Sequence, residues 1–528
     1  MRKWTIVTIL ACAQFVMVLD STVMNVSIST VVKDLNTTVS AMQAAITFYT
    51  LTMAAFMLLG AKLGDVFGRK KVFIIGAVIY ALGSLITGLS QNFQTLFIGW
   101  SVIEGLGAVL VIPAIAALIA NNYSGKDRVK AFALIGGVSG AAAAAGPLIG
   151  GYVTTYLSWR YVFYSEVLIM CVILMFHSKL TDTVKPLKIK IDIPSVLLSS
   201  TGLLLLVLGM LQSKTWGLIT PRSMPEINGH AIAPFGISIV AYLILMGIVV
   251  LKLFFDRQEK LINSGKTPLL DISMLSIKQL KSGLSVLLSQ YAMTGGVFFI
   301  IPVYLQMTLG YDALKTGLKI LPLSVALILF SIIGTRLISI WSPRKIIRLG
   351  QVILIASSVL LLSSVSLTLR GFLFGAGMFF FGAALGLLAS QIGNVNMSSV
   401  KKQQSSEVGG LQGVFQNLGS SLGTAVIGSV LIASLTTNFN SNVQASNLPS
   451  NVKSHIASTS KAGVAVAPVS EVTGYAESKG LPQSQANQLT QIYTDSQVAS
   501  LKSAFYALIA VALISLFFSK NIPNEIMR

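Results

Sequence analysis

Residues 5–28 read TIVTILACAQFVMVLDSTVMNVSI, an apolar run of membrane length broken by one carboxylate, Asp20. About 20 apolar residues suffice to cross a bilayer as a helix. An acid at the centre of such a helix costs at least about 2.5–3.5 kcal/mol on insertion scales. Further along, Glu104 and Glu166 interrupt two more apolar runs. Leucine and alanine alone would build apolar helices, so acids kept inside them point to an ion or substrate pathway.

Composition sets the class. The 528 residues are 54 % apolar and 11 % charged, against roughly a quarter charged in soluble domains. No soluble core absorbs so much apolar surface; a lipid-facing shell does. The formal net charge of +20 is spread in short groups between apolar runs rather than gathered on one face. It therefore reads as topology signalling and not as a nucleic-acid surface. Cys12 and Cys171 fall inside apolar runs and form no disulfide framework. Met1-Arg2-Lys3-Trp4 mimics a signal peptide, but Asp20 and the long apolar continuation favour a retained first helix.

Apolar runs place spans near 5–28, 42–63, 72–91, 94–120, 130–155, 160–177, 194–213, 234–254, 282–308, 314–337, 346–367, 370–394, 408–434 and 499–519. The expected fold class is an all-α polytopic membrane protein with fourteen helices. Placing the N-terminus in the cytoplasm and alternating sides puts about two thirds of all Lys and Arg in inner segments. A missed helix would scramble that alternation, so the charges support the count and put both termini inside. The inner loop at 255–281 is long enough for an amphipathic segment on the membrane, around Asp271-Ile272-Ser273-Met274-Leu275. The outer segment 435–498 is rich in Ser, Asn, Gln, Ala and Val. A mobile flap, a hairpin and short helices all fit that composition.

Two motifs carry more. After the second span the chain reads Ala61-Lys62-Leu63-Gly64-Asp65-Val66-Phe67-Gly68-Arg69-Lys70-Lys71. Glycines permit a tight turn, Asp65 is placed to cap or pair, and the basic run anchors the loop. The fifth span holds Ala141 to Ala145 and then Gly146-Pro147-Leu148-Ile149-Gly150-Gly151, where small residues let backbones approach and a proline kinks the helix.

The first motif resembles the signature loop of the major facilitator superfamily, G-x-L-a-D-r-x-G-r-[RK], departing at Ala61 and Val66. A degenerate echo, Gly334-Thr335-Arg336-Leu337 and Pro343-Arg344-Lys345, falls at the equivalent place in the second half. The second motif resembles the G-P-x-x-G-G signature of that superfamily's exporters, with Ala142 at a frequent glycine position. Leu19-Asp20-Ser21-Thr22-Val23-Met24-Asn25-Val26 looks like the L-D-x-T-[IV]-x-N-V-A pattern of its fourteen-helix drug:proton antiporters, the EmrB/QacA type. Tyr304 to Tyr311 and Glu407 to Gly419 are similar to that group's helix 9–10 junction and its helix 13 start. The resemblance implies two six-helix bundles plus two extra helices: an N-terminal bundle over 1–180, the extra pair and inner linker over 181–281, and a C-terminal bundle over 282–528 with the outer loop 435–498.

The group's fourth helix usually carries R-x-x-Q-G. Here Ser101 replaces the arginine and Glu104 the glutamine, and Glu166 occupies a place commonly held by asparagine. The N-terminal half is thus more anionic, and coupling through Glu104 or Glu166 is the expected substitute. At 1.5 Å per residue, Asp20 lies about 24 Å from the inner end, Glu104 near mid-membrane and Glu166 about 9 Å below Arg160. Helices 1 and 4 line the cavity in this fold, which makes Asp20 and Glu104 the first choices. Glu166 on helix 6 is placed to reach Arg160 through neighbours or to face a lateral opening.

The reading is a secondary active exporter working by alternating access, exchanging protons for cationic or amphipathic small molecules in multidrug efflux and antibiotic resistance. Asp20, Glu104, Glu166 and Asn25 bind protons and substrate; Asp65, Gly68 and Arg69 gate; Gly146, Pro147, Gly150 and Gly151 form the antiporter motif. A lipid or amphiphile flippase is the alternative, and a sensor or scaffold would have only the outer segment to work with. Partners are the small molecule, protons and membrane lipids, with no nucleic acid, cofactor or metal, in a plasma-membrane monomer. His177, His230 and His455 show no ligand spacing and no P-loop pattern is present, so enzymatic function is not expected.

Overall fold

The computed structural model describes residues 2–37, 39–182, 186, 191–222, 226–227, 230–231, 233–460 and 463–525. Its long helices are α1 (Arg2–Asp34), α2 (Val39–Phe67), α3 (Arg69–Gly88), α4 (Phe93–Asn122), α5 (Gly125–Tyr156), α6 (Arg160–Met175) and α7 (Ile193–Trp216). They continue as α8 (Ile239–Asn263), α9 (Lys278–Thr308), α10 (Ala313–Leu337), α11 (Pro343–Ser364), α12 (Gly371–Ser398) and α13 (Ser405–Ala445). Two short helices, α14 (Ser450–Thr459) and α15 (Val469–Ser478), precede α16 (Gln483–Phe518). Thirteen helices among the described residues are long and apolar enough to cross a membrane. The fourteenth expected span is α6, whose 16 residues reach only about 24 Å.

Local chemistry sets the helix boundaries. Asp312 accepts the Lys315 amide at 2.6 Å to cap α10, and Ser342 accepts the Lys345 amide ahead of Pro343 at the start of α11. In each case a side-chain oxygen accepts from one of the orphan N–H donors of the first helical turn. The Ser124-Gly125 punctuation likewise becomes the start of α5, with Gly125 at φ +53°.

Helices α1–α6 form one bundle and α9–α13 with α16 the other. The bundles meet where α5 packs on α10 and α12, and where α13 packs on α2 and α4. The extra helix α7 lies across that second seam, touching both α2 and α13, with α8 packed on its outer side. Both described chain ends lie on one face. There Val7 N–H donates to the Tyr123 hydroxyl at the end of α4, and the Arg344 amide donates to Pro523 O at 3.2 Å. We call this the terminal face.

Two loops differ from a simple surface reading. The 255–281 segment does not lie out on the membrane: Leu269, Leu270 and Met274 are buried, and Gln258 accepts the amides of Leu269 and Leu270 at 2.8 and 3.3 Å. A buried glutamine able to satisfy two backbone donors draws the loop into the bundle. Most of the described residues of the 435–498 segment are helical. At 41 residues, α13 extends about 60 Å, twice the hydrocarbon thickness; α14 and α16 pack on α13, and α15 packs on α16. Leu435, Phe439, Val443, Leu448 and Tyr493 form the core of this cap.

Candidate functional site

The site begins with glycines. A Cβ on Gly83 of α3 would sit 2.6 Å from the Glu104 amide nitrogen, and one on Gly107 of α4 would sit 2.5 Å from the Tyr80 nitrogen. Helices α3 and α4 therefore touch backbone to backbone. Beside this contact, α4 runs as a π-helix over Phe97–Glu104. A π segment turns its side chains to other angles than an α-helix does, and Trp100 and Glu104, both within it, face Asp20 of α1. On the other side of α1, a Cβ at Gly146 of α5 would lie 1.9 Å from Thr22 Oγ1, and one at Gly150 would lie 2.9 Å from Val23 Cγ1. The small residues of α5 thus seat α1 two and three residues beyond Asp20. Gly151 is buried on the same helix; the side chains of Pro147 and Asn25 lie outside the described residues.

These contacts bring the three membrane acids together. One oxygen each of Asp20, Glu104 and Glu166 lies within 4.8 Å of the others, and the residues are 1 %, 0 % and 0 % exposed. Trp100 Nε1–H donates to both Asp20 oxygens, at 2.9 and 3.0 Å, and Tyr49 stacks on the Trp100 ring at 5.1 Å. Ser84 Oγ–H donates to Glu166 Oε2 at 2.9 Å. The buried hydroxyls of Tyr49 and Tyr80 close on Asp20 and Glu104 respectively. No donor meets either oxygen of Glu104, or Oε1 of Glu166, at hydrogen-bonding distance. Among the described residues no lysine, arginine or histidine pairs with the three acids.

Sequence reasoning singled out the acids but not their arrangement. Glu166 joins the cluster instead of reaching Arg160. Arg160 pairs with Asp34, donates to Ser90 O at 2.8 Å and stacks over Trp159. Burial acts to raise the Asp34 carboxyl, but Arg160 and the Trp159 indole outweigh it and hold it below the usual carboxylate range. Ser101 turns away from the acids and donates to Ala45 O at 2.8 Å. Trp100, Tyr49, Tyr80 and Ser84 carried no motif. The available signal was a ring with one polar end inside an apolar span, which when buried usually finds a partner.

A cavity of about 360 Å³ lies between the bundles, lined on one side by Gln14, Val18, Ser21 and Thr22 of α1 and on the other by Gln290, Tyr291, Phe298, Gln412 and Gln416. No charged residue lines it among the described residues. The acids are behind its wall: Val18, Ser21 and Thr22 face the cavity, whereas Asp20 points into the N-terminal bundle.

The cavity is closed towards the terminal face. Arg69 at the start of α3 pairs with Asp65 at 3.1 Å, donates to Ser406 Oγ at 2.5 Å and reaches Gln403 O at 3.1 Å. Gly68 turns at φ +93°, a conformation that favours glycine. Asp182 then accepts the Arg69 amide at 2.7 Å, an acid at a helix N-terminus. Beside this network Lys62 pairs with Glu407 at 3.0 Å across the two bundles. On the other seam Arg128 Nε–H donates to Asn394 Oδ1 at 2.7 Å.

Fold and site together define a polytopic membrane protein built from two helical bundles around a central cavity. Residues 10–424 match the Major Facilitator Superfamily, and the chain belongs to that family, one of membrane transporters and not of enzymes. The chain is 31 % identical over 351 residues to the puromycin resistance protein pur8 of Streptomyces alboniger, covering 66 % of this chain and 65 % of that protein. It thus spans just under two thirds of that relative's length. The tetracenomycin C resistance and export protein of Streptomyces glaucescens is 25 % identical over 537 residues, with 99 % and 93 % coverage. Among solved structures, the human organic anion transporter MFSD10 superposes with a TM-score of 0.60 at 12 % identity, covering 98 % of this chain and 99 % of that one. That likeness concerns the fold alone.

Proposed function

We propose that the chain is a secondary active exporter that drives amphipathic small molecules, cationic ones among them, outward in exchange for protons. One observation carries this reading: α1 is shared between the cavity and the three-carboxylate cluster. Three carboxylates this close in a low-dielectric bundle cannot all be charged, so the cluster holds compensating positive charge. A change in that charge moves Asp20 and with it Val18, Ser21 and Thr22 in the cavity wall. Substrate and protons then compete through the position of α1 rather than for one group, as alternating access requires.

The apolar, amide-rich cavity suits ring-containing amphiphiles better than a fixed charge. The resistance and export named for the two relatives support an antibiotic-like substrate. We read both termini as cytoplasmic, an orientation that the distribution of Lys and Arg supports. The conformer described is then closed to the cytoplasm, with Asp65, Gly68 and Arg69 at the closure. Everted vesicles energised to a pH gradient and challenged with ethidium and puromycin test the reading. Both compounds are expected to collapse the gradient with the wild-type chain and not with Asp20→Asn at equal protein level. An equal response in Asp20→Asn removes the acid cluster from coupling; no response to either compound in the wild type moves the substrate to lipid.

A further inference from the structure

We propose that the Asp20–Glu104–Glu166 cluster is a binding site for one dehydrated, sodium-sized monovalent cation, taken up in exchange for protons. The proposal rests on the cluster being the coupling site and adds a second coupling ion to it.

The first argument is the set of atoms left over. Trp100 and Ser84 satisfy Asp20 and one oxygen of Glu166. Both oxygens of Glu104 and Oε1 of Glu166 have no donor. The hydroxyls of Tyr49 and Tyr80 are 2 % and 0 % exposed and have no partner outside the cluster. Three carboxylate and two hydroxyl oxygens, all buried in and around the cluster, therefore lack a partner at hydrogen-bonding distance. Buried polar atoms without partners are rare in proteins, and a group of acceptors facing one another is the arrangement a cation satisfies.

Size and charge narrow the ion. Three points no more than 4.8 Å apart share a centre no more than about 2.8 Å from each, since 4.8 Å divided by √3 is about 2.8 Å. Calcium-sized ions bind oxygen at about 2.3–2.6 Å, and sodium is close to calcium in radius. Magnesium demands about 2.0–2.1 Å and keeps its water, for which a closed cluster has no room. A divalent ion of the same radius loses roughly four times the hydration energy, because the Born term grows with the square of the charge. Sodium with two protons neutralises the three carboxylates.

Among the described residues the surroundings supply no competing charge. The groups facing the cluster are Tyr49 from α2, Tyr80 and Ser84 from α3, and Trp100 from α4. Basic residues on α1–α6 are confined to helix ends, with Lys62 and Arg69 committed to the terminal-face network and Arg160 to Asp34. Asp20, Glu104 and Glu166 come from three helices, so a cation held between them would tie α1, α4 and α6 together.

The test is equilibrium binding of ²²Na⁺ to the purified full chain in detergent, at constant ionic strength in choline chloride, from pH 5.5 to 8.5. One saturable site per chain is expected. Its affinity should rise about tenfold per pH unit for each proton displaced, with loss of binding in Glu104→Gln and Glu166→Gln. Thermal melting identifies any variant that has unfolded, and Ser84→Ala, which removes only a donor, supplies a second variant expected to weaken binding. Absence of saturable sodium binding at any pH overturns the proposal, as does unchanged binding in folded Glu104→Gln. Displacement of sodium by micromolar calcium overturns the monovalent assignment. In parallel, proton release on adding ethidium to the unbuffered protein reports on the coupling reading by itself. Release without sodium binding retains proton coupling and rejects the cation site; sodium binding without release does the reverse.

Discussion

Replacing Lys62 with methionine tests how the bundles are held shut at the terminal face. Lys62 and Glu407 are buried, with side chains 3 % and 11 % exposed, and their 3.0 Å contact joins α2 of one bundle to α13 of the other. Removing one partner of a buried pair costs about 3–5 kcal/mol, because the remaining charge is stranded. Glu407 keeps the Asp271 amide at 2.9 Å, which places the cost near the lower end, about 3 kcal/mol. Separation of the bundles returns Glu407 to water, so the penalty falls on the closed conformer alone. At about 1.4 kcal/mol per decade, the closed-to-open ratio drops about a hundredfold. Spin labels at Lys71→Cys and Lys401→Cys, both exposed positions, report this by pulsed electron-electron resonance. Cys12 and Cys171, which are free, are first changed to serine. Lys62→Met is expected to add a longer-distance population, and Lys62→Met/Glu407→Gln to remove it, because glutamine still accepts from Asp271. An unchanged distance distribution in Lys62→Met, or a double variant as open as the single one, refutes the assignment.

Two further outcomes follow from the geometry. Gly146→Ala places a methyl group 1.9 Å from Thr22 Oγ1, an overpacking of about 1–3 kcal/mol. Ethidium export is expected to fall further than the amount of folded protein, and Thr22→Gly in the same chain to recover part of it. Asp192 caps α7 and receives two hydrogen bonds from Arg257, both at 2.7 Å, which with Ser195 hold its carboxyl well below the usual range. A depressed carboxylate contributes stability above its unfolded value, near pH 4, that is lost as pH falls towards the folded one. Melting curves of wild type and Asp192→Asn should therefore differ by a constant amount from pH 7 to 5 and converge below about pH 4.

The sequence was legible where physics is local. Apolar runs of bilayer length, Lys and Arg alternating between them and punctuation such as Ser342-Pro343 determined the membrane class, the helix order and most helix boundaries, because a chain in lipid must satisfy its backbone within each span. The glycines of 146–151 marked close packing, and three acids inside apolar spans marked a site, because both carry a cost that composition reveals. Partnership was not legible. Asp20, Glu104 and Glu166 are separated by more than sixty residues at each step, and only the meeting of α1, α2, α3, α4 and α6 made them one cluster with Trp100, Tyr49, Tyr80 and Ser84 around it. The same holds for Lys62 with Glu407 and for the buried 255–281 loop. A side chain's direction depends on helix rotation and on a π segment that no motif marks, and these are set by packing across the whole bundle.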